Sequence, residues 1–293
     1  MNIVITIPAF NEERTIGRVI DEIKEVMNST NYKYKILVVN DGSKDRTIKV
    51  AKKSGAIVHS HPRNKGLAEA FKTEIQQCLK LKADIIVHTD ADGQYHPSGI
   101  PRLINKVEKG YDLVLGSRFA GRIESMPFLK RAGNIAFSKV LSKLTRTRLT
   151  DTTTGFRAFT KDVAEGIDFI NSFTYTQEQI IRAAKQKFKI AEVPILARKT
   201  RESRLFKNPL DYAIKAWINI LRIYRDYDPI KFFGKIGMGF FSVGFLIGLY
   251  FTYLHFFKGG IHGHLGLLFL MFILLSMGIQ IILFGFLADM QRK

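Results

Sequence analysis

The chain has 293 residues, enough for one large domain or two, and its formal net charge of +19 comes from 45 Lys and Arg against 26 Asp and Glu. Such an excess predicts a polyanionic partner: nucleic acid, anionic lipid or phosphorylated substrates. Cys78 is the only cysteine, which excludes an intramolecular disulfide and a cysteine metal cluster. Residues 1–7 lack the charged flank and cleavage site of a secretory signal peptide, so we expect none.

Strand-like and helix-like segments alternate along the chain up to about residue 192. This order predicts an α/β fold in which a mostly parallel, Rossmann-like sheet carries helices on both faces. The predicted strands are residues 3–7, 35–40, 56–59, 85–89 and 113–116, and the predicted helices are residues 12–27, 44–54, 67–81 and 101–109. In such sheets, ligands bind beyond the carboxyl ends of the strands.

Polar and acidic segments follow three of these strands, and their sequences are PAFNEE, NDGSKD and HTDADGQ. In the third segment, Asp90 and Asp92 stand one residue apart. Carboxylates this close raise each other's pKa unless a positive group lies between them. An isolated pair of this kind favours a solvated turn, whereas a divalent cation shared with a phosphate would use both carboxylates. Because acids and turn residues recur at three strand ends, we favour the cation and a phosphate-bearing substrate.

Residues 127–145 and 206–231 mix apolar side chains with Lys and Arg in the pattern of basic amphipathic helices. Such helices can lie in a membrane interface. For residues 127–145, a membrane-interface helix and an ordinary surface helix fit equally well. The segment 206–231 contains Trp217 and leads directly into a long apolar stretch, so there we favour the membrane interface.

Residues 236–257 and 265–288 contain no Asp, Glu, Lys or Arg. A helix crosses a bilayer with about 20 apolar residues, so we predict a two-helix transmembrane anchor over residues 232–293, with spans at about 234–257 and 265–288. Basic residues flank the anchor, and the link between the spans carries only Lys258. The positive-inside rule therefore predicts a cell-membrane protein with both termini and the preceding domain in the cytoplasm. An anionic lipid surface would account for much of the positive charge, so nucleic acid is no longer an expected partner.

Six motifs occur in one order along the chain: IPAFNEERTI, VVNDGSKDRT, NKGLAEA, DADGQYHP, LGSRF and TTTGFRAF. Together they resemble the family 2 glycosyltransferases with the GT-A fold, and more narrowly the polyprenyl-phosphate glycosyltransferases, such as dolichyl-phosphate mannose synthases and archaeal dolichyl-phosphate sugar synthases. The resemblance implies a GT-A catalytic domain over residues 1–205, Mg²⁺ or Mn²⁺ as cofactor, a nucleotide-sugar donor and a dolichyl or polyprenyl phosphate acceptor. GDP-mannose, UDP-glucose and UDP-N-acetylglucosamine remain alternative donors, and the oligomeric state stays open.

The resemblance also implies a role for each matching residue. The nucleotide pocket would be lined by Pro8, Ala9, Phe10 and Glu12, with Asp41 at the base. The metal and diphosphate would be held by Asp90, Asp92 and Gln94. The acceptor phosphate and leaving group would meet Arg118, Arg131, Arg157, Ser203 and Arg204. Guanidinium groups suit this work because their planar fork binds two phosphate oxygens at once. A structural salt bridge to Asp151 is the alternative for Arg157.

Three positions depart from the family pattern. Asn40 stands where many relatives have an acid, so either position 40 or position 41 reads the base. Glu74 stands where a glycine is often found, and the sequence offers no interpretation of it. The loop 198–204, expected to clamp phosphate, has Arg201 where the family has glycine, which adopts positive φ more freely.

These features predict transfer of a sugar to a polyprenyl phosphate at the cytoplasmic membrane face, with inversion at C1. The acceptor phosphate is already anionic, so positioning, metal and arginines would suffice without a strong general base. Two alternatives remain. A processive polysaccharide synthase of the same superfamily would carry a Q-x-x-R-W motif, whereas the only tryptophan, Trp217, follows Ile-Lys-Ala. A membrane-tethered nucleotide-sugar-binding protein without activity is the other.

Overall fold

A computed structural model describes residues 1–166, 175–199, 218, 221–222, 224–257 and 264–291 of the chain. Two compact units are distinguished by their internal contacts, Met1–Ala213 and Ile214–Lys293. Each unit is described by itself below. The boundaries expected from the sequence, at residues 205 and 231, remain predictions.

The first unit is built on a seven-stranded sheet. Its strands are β1 (Ile3–Ala9), β2 (Tyr34–Asn40), β3 (Ile57–Ser60), β4 (Ile85–His88), β5 (Leu113–Ile123), β6 (Arg157–Thr160) and β7 (Ile190–Ala197). Its helices are α1 (Ile16–Asn28), α2 (Thr47–Lys53), α3 (Leu67–Lys80), α4 (Ile100–Glu108), α5 (Phe128–Thr145), α6 (Lys161–Gly166) and α7 (Tyr175–Lys185). The alternation of strands and helices confirms the predicted α/β class.

The strand order is β3-β2-β1-β4-β6-β5-β7. Strands β1, β2, β3 and β4 run parallel, because a helix returns the chain to the same end of the sheet after each strand. Strand β6 lies antiparallel between β4 and β5, and β7 lies parallel to β5. The chain first builds outward from β1 to β3 and then continues on the other side of β1 with β4. A crevice therefore opens at the carboxyl ends of β1 and β4.

Hydrophobic periodicity explains why the helices pack on this sheet. In α1, Ile16, Val19, Ile20, Ile23 and Met27 are buried, which is the one-sided spacing of an amphipathic helix. Strand β1 is buried at every position because helices cover both faces of the sheet. Each fully buried aliphatic side chain contributes about 1.5–3 kcal/mol. This core holds the strand ends in place.

The five predicted strands and four predicted helices all occur, and the predicted segment 127–145 is helical as α5. Strands β6 and β7, helices α6 and α7 and the observed start of α1 were not predicted. Strand β6 has only four residues, and β7 contains Pro194, so neither shows a clear strand pattern. Helix α1 begins at Ile16 rather than at residue 12, because Glu12 to Thr15 form a turn in which Thr15 N donates to Glu12 O over 3.1 Å.

The second unit contains two long helices, α8 (Pro229–Phe257) and α9 (Leu265–Met290). Both are long and apolar enough to cross a membrane, with mean hydropathies of 1.7 and 2.7. Gly237 approaches Gly278 so closely that a Cβ on either residue would lie under 3 Å from the other's carbonyl oxygen. A Cβ on Gly244 would lie 3.0 Å from Leu275 Cγ and 3.1 Å from Leu275 N. As residue numbers rise along α8 they fall along α9, so the helices are antiparallel. Small residues permit this approach.

Candidate active site

The carboxyl ends of β1, β2 and β4 bring the three polar segments to one edge of the sheet. Pro8 and Ala9 end β1 and are buried, whereas the side chain of Phe10, the next residue, is exposed. Asp41 directly follows β2, and its backbone N–H donates to Ala9 O over 2.9 Å. Asp90 lies two residues after β4. Parallel strands thus bring these side chains together from positions far apart in the sequence.

The loops after β1 and β2 lock onto each other through hydrogen bonds. Asn11 has φ +54°, in the left-handed region, and its backbone N–H donates to Ser43 Oγ over 2.9 Å. Its side-chain oxygen accepts from Lys44 N over 2.9 Å. Glu12 is buried, and its backbone N–H donates to Thr47 Oγ1 over 2.8 Å. These hydrogen bonds join the loops after β1 and β2 into one double loop, which would form the floor of the expected nucleotide pocket.

The carboxylate of Asp41 organises a further loop. Its oxygens accept hydrogen bonds from the backbone N–H groups of Lys65 and Gly66 over 2.9 and 2.8 Å, and Oδ1 lies 2.7 Å from His61 Nδ1. The side chain of Asn40 is turned inward and accepts from Ser43 N over 3.2 Å. Asp41 thus holds the Lys65–Gly66 turn beside β2. Its contact with a nucleotide base stays a prediction.

Asp90 and Asp92 lie in the crevice after β4. About a third of the Asp90 side chain is accessible, but the surrounding protein desolvates its carboxylate. Desolvation and the neighbouring charge of Asp92 together raise the pKa of Asp90 from 3.8 to about 6, against the opposing influence of His88. Asp92 Oδ1 accepts from Gln94 N over 2.9 Å. Among the described residues, neither carboxylate forms an ion pair with Lys or Arg.

This donor set fits a hard divalent cation. Two neighbouring carboxylates that form no ion pair with Lys or Arg among the described residues supply the oxygen ligands that Mg²⁺ and Mn²⁺ take. Gln94 follows on the same turn and has a partly exposed side chain. In the described part of the chain, no three His, Cys, Asp or Glu side chains group as a metal site. Asp90, Asp92 and Gln94 would provide part of a coordination sphere, and phosphate oxygens and water would complete it, as is usual for Mg²⁺.

Gly155 forms one wall beside Asp90. A Cβ at this position would lie 3.0 Å from Asp90 Oδ1 and 3.2 Å from Oδ2, so only glycine leaves room for the carboxylate as it stands. The backbone N–H of Gly155 donates to the buried Tyr95 hydroxyl over 3.0 Å. The Tyr95 ring stacks on Phe156, with 5.3 Å between ring centroids. The loop before β6 is thereby fastened to the turn that carries both aspartates.

Arg118, near the middle of β5, is held by a buried carboxylate. Its Nε and Nη2 donate to the two oxygens of Asp151 over 2.7 and 2.9 Å, and Nη2 also donates to Thr153 Oγ1. Glu192 on β7 accepts hydrogen bonds from the backbone N–H groups of Thr150 and Asp151, which fixes the carboxylate in turn. The pairing orients a guanidinium close enough to Asp90 to lower its pKa.

Arg157 lies beneath the site rather than at its surface. Its side chain is fully buried, and Nη1 donates to Thr176 O and Gln179 Oε1 over 3.0 and 2.9 Å. Nη2 donates to Thr154 O. The salt bridge to Asp151 considered from the sequence is not formed, since Asp151 pairs with Arg118. Contact of Arg157 with a leaving group stays a prediction.

Two neighbouring basic residues at the start of α5 lie differently. Lys130 is half-buried, and its pKa is lowered by burial and by Arg118, while Asp92 raises it. Its ammonium group therefore lies within electrostatic reach of both site residues. Arg131 is exposed and borders a surface groove of about 420 Å³ whose other lining residues are Phe128, Ala132, Ile135, Ala136 and Lys139. The family resemblance singled out Arg131 and assigned no role to its neighbour Lys130, and the role of Arg131 toward the acceptor stays a prediction.

Ser203, Arg204 and Arg201 lie outside the described residues. The start of their loop is described: Arg198 N donates to Gln94 O over 2.8 Å, and the Arg198 guanidinium pairs with Glu22 at 2.8 Å. The segment that leads into the expected phosphate clamp is thus fastened to the turn that carries the aspartates.

The family model described as Glycosyl transferase family 2 matches residues 4–167. An uncharacterised protein of Methanocaldococcus jannaschii is 39% identical over 199 residues, covering 66% of this chain and 80% of that protein. A dolichyl-phosphate hexose transferase of Haloferax volcanii is 34% identical over 195 residues, covering 66% and 82%.

Solved structures agree on the fold. The glucosyl-3-phosphoglycerate synthase of Mycobacterium tuberculosis, crystallised with Mn²⁺ and UDP-glucose, superposes with a TM-score of 0.60 at 22% identity, covering 76% of this chain and 78% of that chain. At this identity the likeness concerns the fold alone. It confirms the GT-A-like architecture predicted from the sequence.

Proposed function

The chain belongs to glycosyl transferase family 2, and from this premise we propose that it transfers a sugar from a nucleotide sugar to dolichyl or another polyprenyl phosphate. The observation that carries the proposal is the pair Asp90 and Asp92, which lacks Lys and Arg ion pairs among the described residues and has the cations of Arg118 and Lys130 within electrostatic reach. Such a site attracts a diphosphate together with a cation. The relative from Haloferax volcanii is named for a dolichyl-phosphate acceptor.

The donor nucleotide would lie across the double loop after β1 and β2. The exposed ring of Phe10 offers an apolar surface there, and the Asp41 carboxylate holds the Lys65–Gly66 turn that borders the same edge. The diphosphate would reach toward Asp90 and Asp92.

Asp90, Asp92 and Gln94 would hold Mg²⁺ or Mn²⁺. A divalent cation bound there supplies Lewis-acid stabilisation of the charge that develops on the departing diphosphate. Arg118, which Asp151 holds in place, adds positive charge that is already oriented before the reaction, and Lys130 adds a second cation within electrostatic reach. Charge that is oriented in advance favours a transition state over a ground state. Buried Arg157 would support them by holding the carbonyl of Thr154 next to Gly155.

The acceptor phosphate needs no general base. One of its oxygens would form a bond to C1 of the sugar while the bond from C1 to the nucleotide diphosphate breaks, and the electron pair leaves with the diphosphate. A single in-line displacement inverts C1. Arg118 and Lys130 would attract both phosphate groups to one place, and this proximity would lower the barrier to transfer.

We further propose a membrane location with both termini and the catalytic unit in the cytoplasm. The helices α8 and α9 would cross the bilayer, since both are apolar and expose most of their large side chains. The exposed face of α5 combines Phe128 and Ile135 with Arg131 and Lys139, which suits a lipid surface that carries anionic headgroups. The phosphate of an acceptor lipid would then lie at the membrane surface that α5 contacts.

The test uses the full-length protein in detergent with GDP-mannose, UDP-glucose or UDP-N-acetylglucosamine and a short polyprenyl phosphate. We expect nucleotide release with one donor, only when the polyprenyl phosphate and Mn²⁺ or Mg²⁺ are present, and its loss in EDTA. Asp92→Asn should abolish transfer without unfolding the protein, whereas the exposed control Asp162→Asn should keep it. Transfer by Asp92→Asn at the wild-type rate, or no acceptor-dependent release with any donor, would refute the proposal.

A further inference from the structure

Beneath the two aspartates lies a buried acid that the sequence left without an interpretation. Glu74 on α3 is fully buried, and its Oε2 lies 2.6 Å from His88 Nδ1. His88 ends β4 and is also fully buried. The imidazole is enclosed by Phe71, which meets it edge-on with 5.1 Å between centroids, and by Tyr175, whose hydroxyl lies 3.2 Å from Nε2.

Stability alone is a poor reason for this pair. Removing a carboxylate from water costs more than a hydrogen bond returns, and replacing buried ion pairs by apolar residues is often neutral or stabilising. Glu74 Oε1 has no hydrogen-bond partner among the described residues, so the carboxylate is only half satisfied. A buried acid kept under these conditions calls for a role beyond packing.

The position of the imidazole supplies that role. His88 Nε2 lies 3.8 Å from Asp90 Oδ1, too far for a hydrogen bond but in direct contact with the carboxylate. Gly155 also lies against this carboxylate, since a Cβ added there would be 3.0 Å from Oδ1. Asp90 is therefore in contact with the His88 imidazole and lies against the Gly155 backbone, and the imidazole is itself held by Glu74.

We propose that Glu74 and His88 are positioning residues that hold the Asp90 carboxylate in the orientation needed to bind a divalent cation. The inference rests on the proposed function, because it presumes that Asp90 is a metal ligand. Residues that fix a ligand from behind commonly change metal affinity by 10- to 100-fold when they are altered. This role would account for the burial and contacts of Glu74, which stands where the family often has glycine.

The experiment measures Mn²⁺ binding directly, from the electron paramagnetic resonance signal of free Mn²⁺ titrated with full-length protein and a saturating nucleoside diphosphate. Glu74→Gln keeps the shape and an acceptor for the imidazole but removes the charge. We expect its Mn²⁺ dissociation constant to rise by about 10-fold or more, with an unchanged KM for polyprenyl phosphate. His88→Gln should give a similar rise, and the double variant should be no weaker than the single ones, because the two residues act as a unit.

Cys78→Ser is the matched control. Cys78 lies one turn along α3 from Glu74, is equally buried and does not contact Asp90 in any described hydrogen bond or ion pair. Cys78→Ser should lower the melting temperature about as much as Glu74→Gln does, and it should leave the Mn²⁺ affinity unchanged. If the wild type binds Mn²⁺ and Glu74→Gln or His88→Gln binds it equally well, the positioning role is refuted and the proposed function stands. If the wild type itself binds no Mn²⁺, both proposals fall.

Discussion

The ion pair between Arg118 and Asp151 offers the sharpest test of how the site is built. Arg118 is 5% exposed and Asp151 is 0% exposed, and two hydrogen bonds of 2.7 and 2.9 Å join them. Asp151→Asn keeps the volume but removes the charge and turns one acceptor into a donor that faces Arg118. Breaking a buried pair by altering one partner costs about 3–5 kcal/mol, because the other charge stays buried without compensation.

For a unit of 150–250 residues, each kcal/mol corresponds to about 2–4 °C of melting temperature. The catalytic unit, Met1–Ala213, falls in this range, so Asp151→Asn should lower its melting temperature by about 6–20 °C. Transfer should also fall, since the guanidinium loses its orientation. Differential scanning calorimetry of the full-length protein and steady-state kinetics below the transition measure the two effects.

Glu165→Gln provides the control for removing an acid at a protein surface. Its partner Lys161 lies at 3.3 Å on α6, and both side chains are about half exposed. An exposed pair of this kind contributes about 0–1 kcal/mol, so the melting temperature should hardly change. If Asp151→Asn melts at the same temperature as Glu165→Gln and transfers sugar at the wild-type rate, the orientation of Arg118 does not depend on Asp151.

Three further outcomes are expected. Gly155→Ala should lower kcat by about 10-fold, since its Cβ displaces the Asp90 carboxylate; an unchanged kcat would contradict this. In the metal-free protein, the folded state binds the Asp90 proton more tightly than the unfolded state does, because the pKa of Asp90 is raised from 3.8 to about 6. The resulting stabilisation of the fold is complete below pH 3.8 and is lost as pH rises through about 6. Urea unfolding between pH 4 and 7 should show this decline in stability, and Asp90→Asn should remove the decline. Lys130→Ala should lower kcat by about 100-fold, whereas Arg131→Ala should mainly raise the KM for a long-chain polyprenyl phosphate in bilayers. Equal effects of the two variants would contradict the assignment of Lys130 to the active site and of Arg131 to the lipid surface.

Much of the fold could be read from the sequence because its strands and helices have distinct periods. Strands β1, β2 and β4 are largely apolar runs that precede polar turns, and α1 repeats its buried residues at helical spacing. Strands β6 and β7 could not be read in this way. Four residues are too few to show a period, and the antiparallel position of β6 between β4 and β5 is a tertiary arrangement that no local pattern encodes.

The same division holds for the site. The sequence by itself determined that Asp90 and Asp92 stand at a strand end, because a buried strand followed by two acids is a local pattern. Only the tertiary structure decided that Arg118 pairs with Asp151, 33 residues away, and that Glu74 reaches His88 from a neighbouring helix. A local sequence pattern indicates which residues are buried. The partner of a buried charge depends on how whole helices and strands pack, because a charge in the interior is stable only when the fold places an opposite charge or a hydrogen-bonding group beside it.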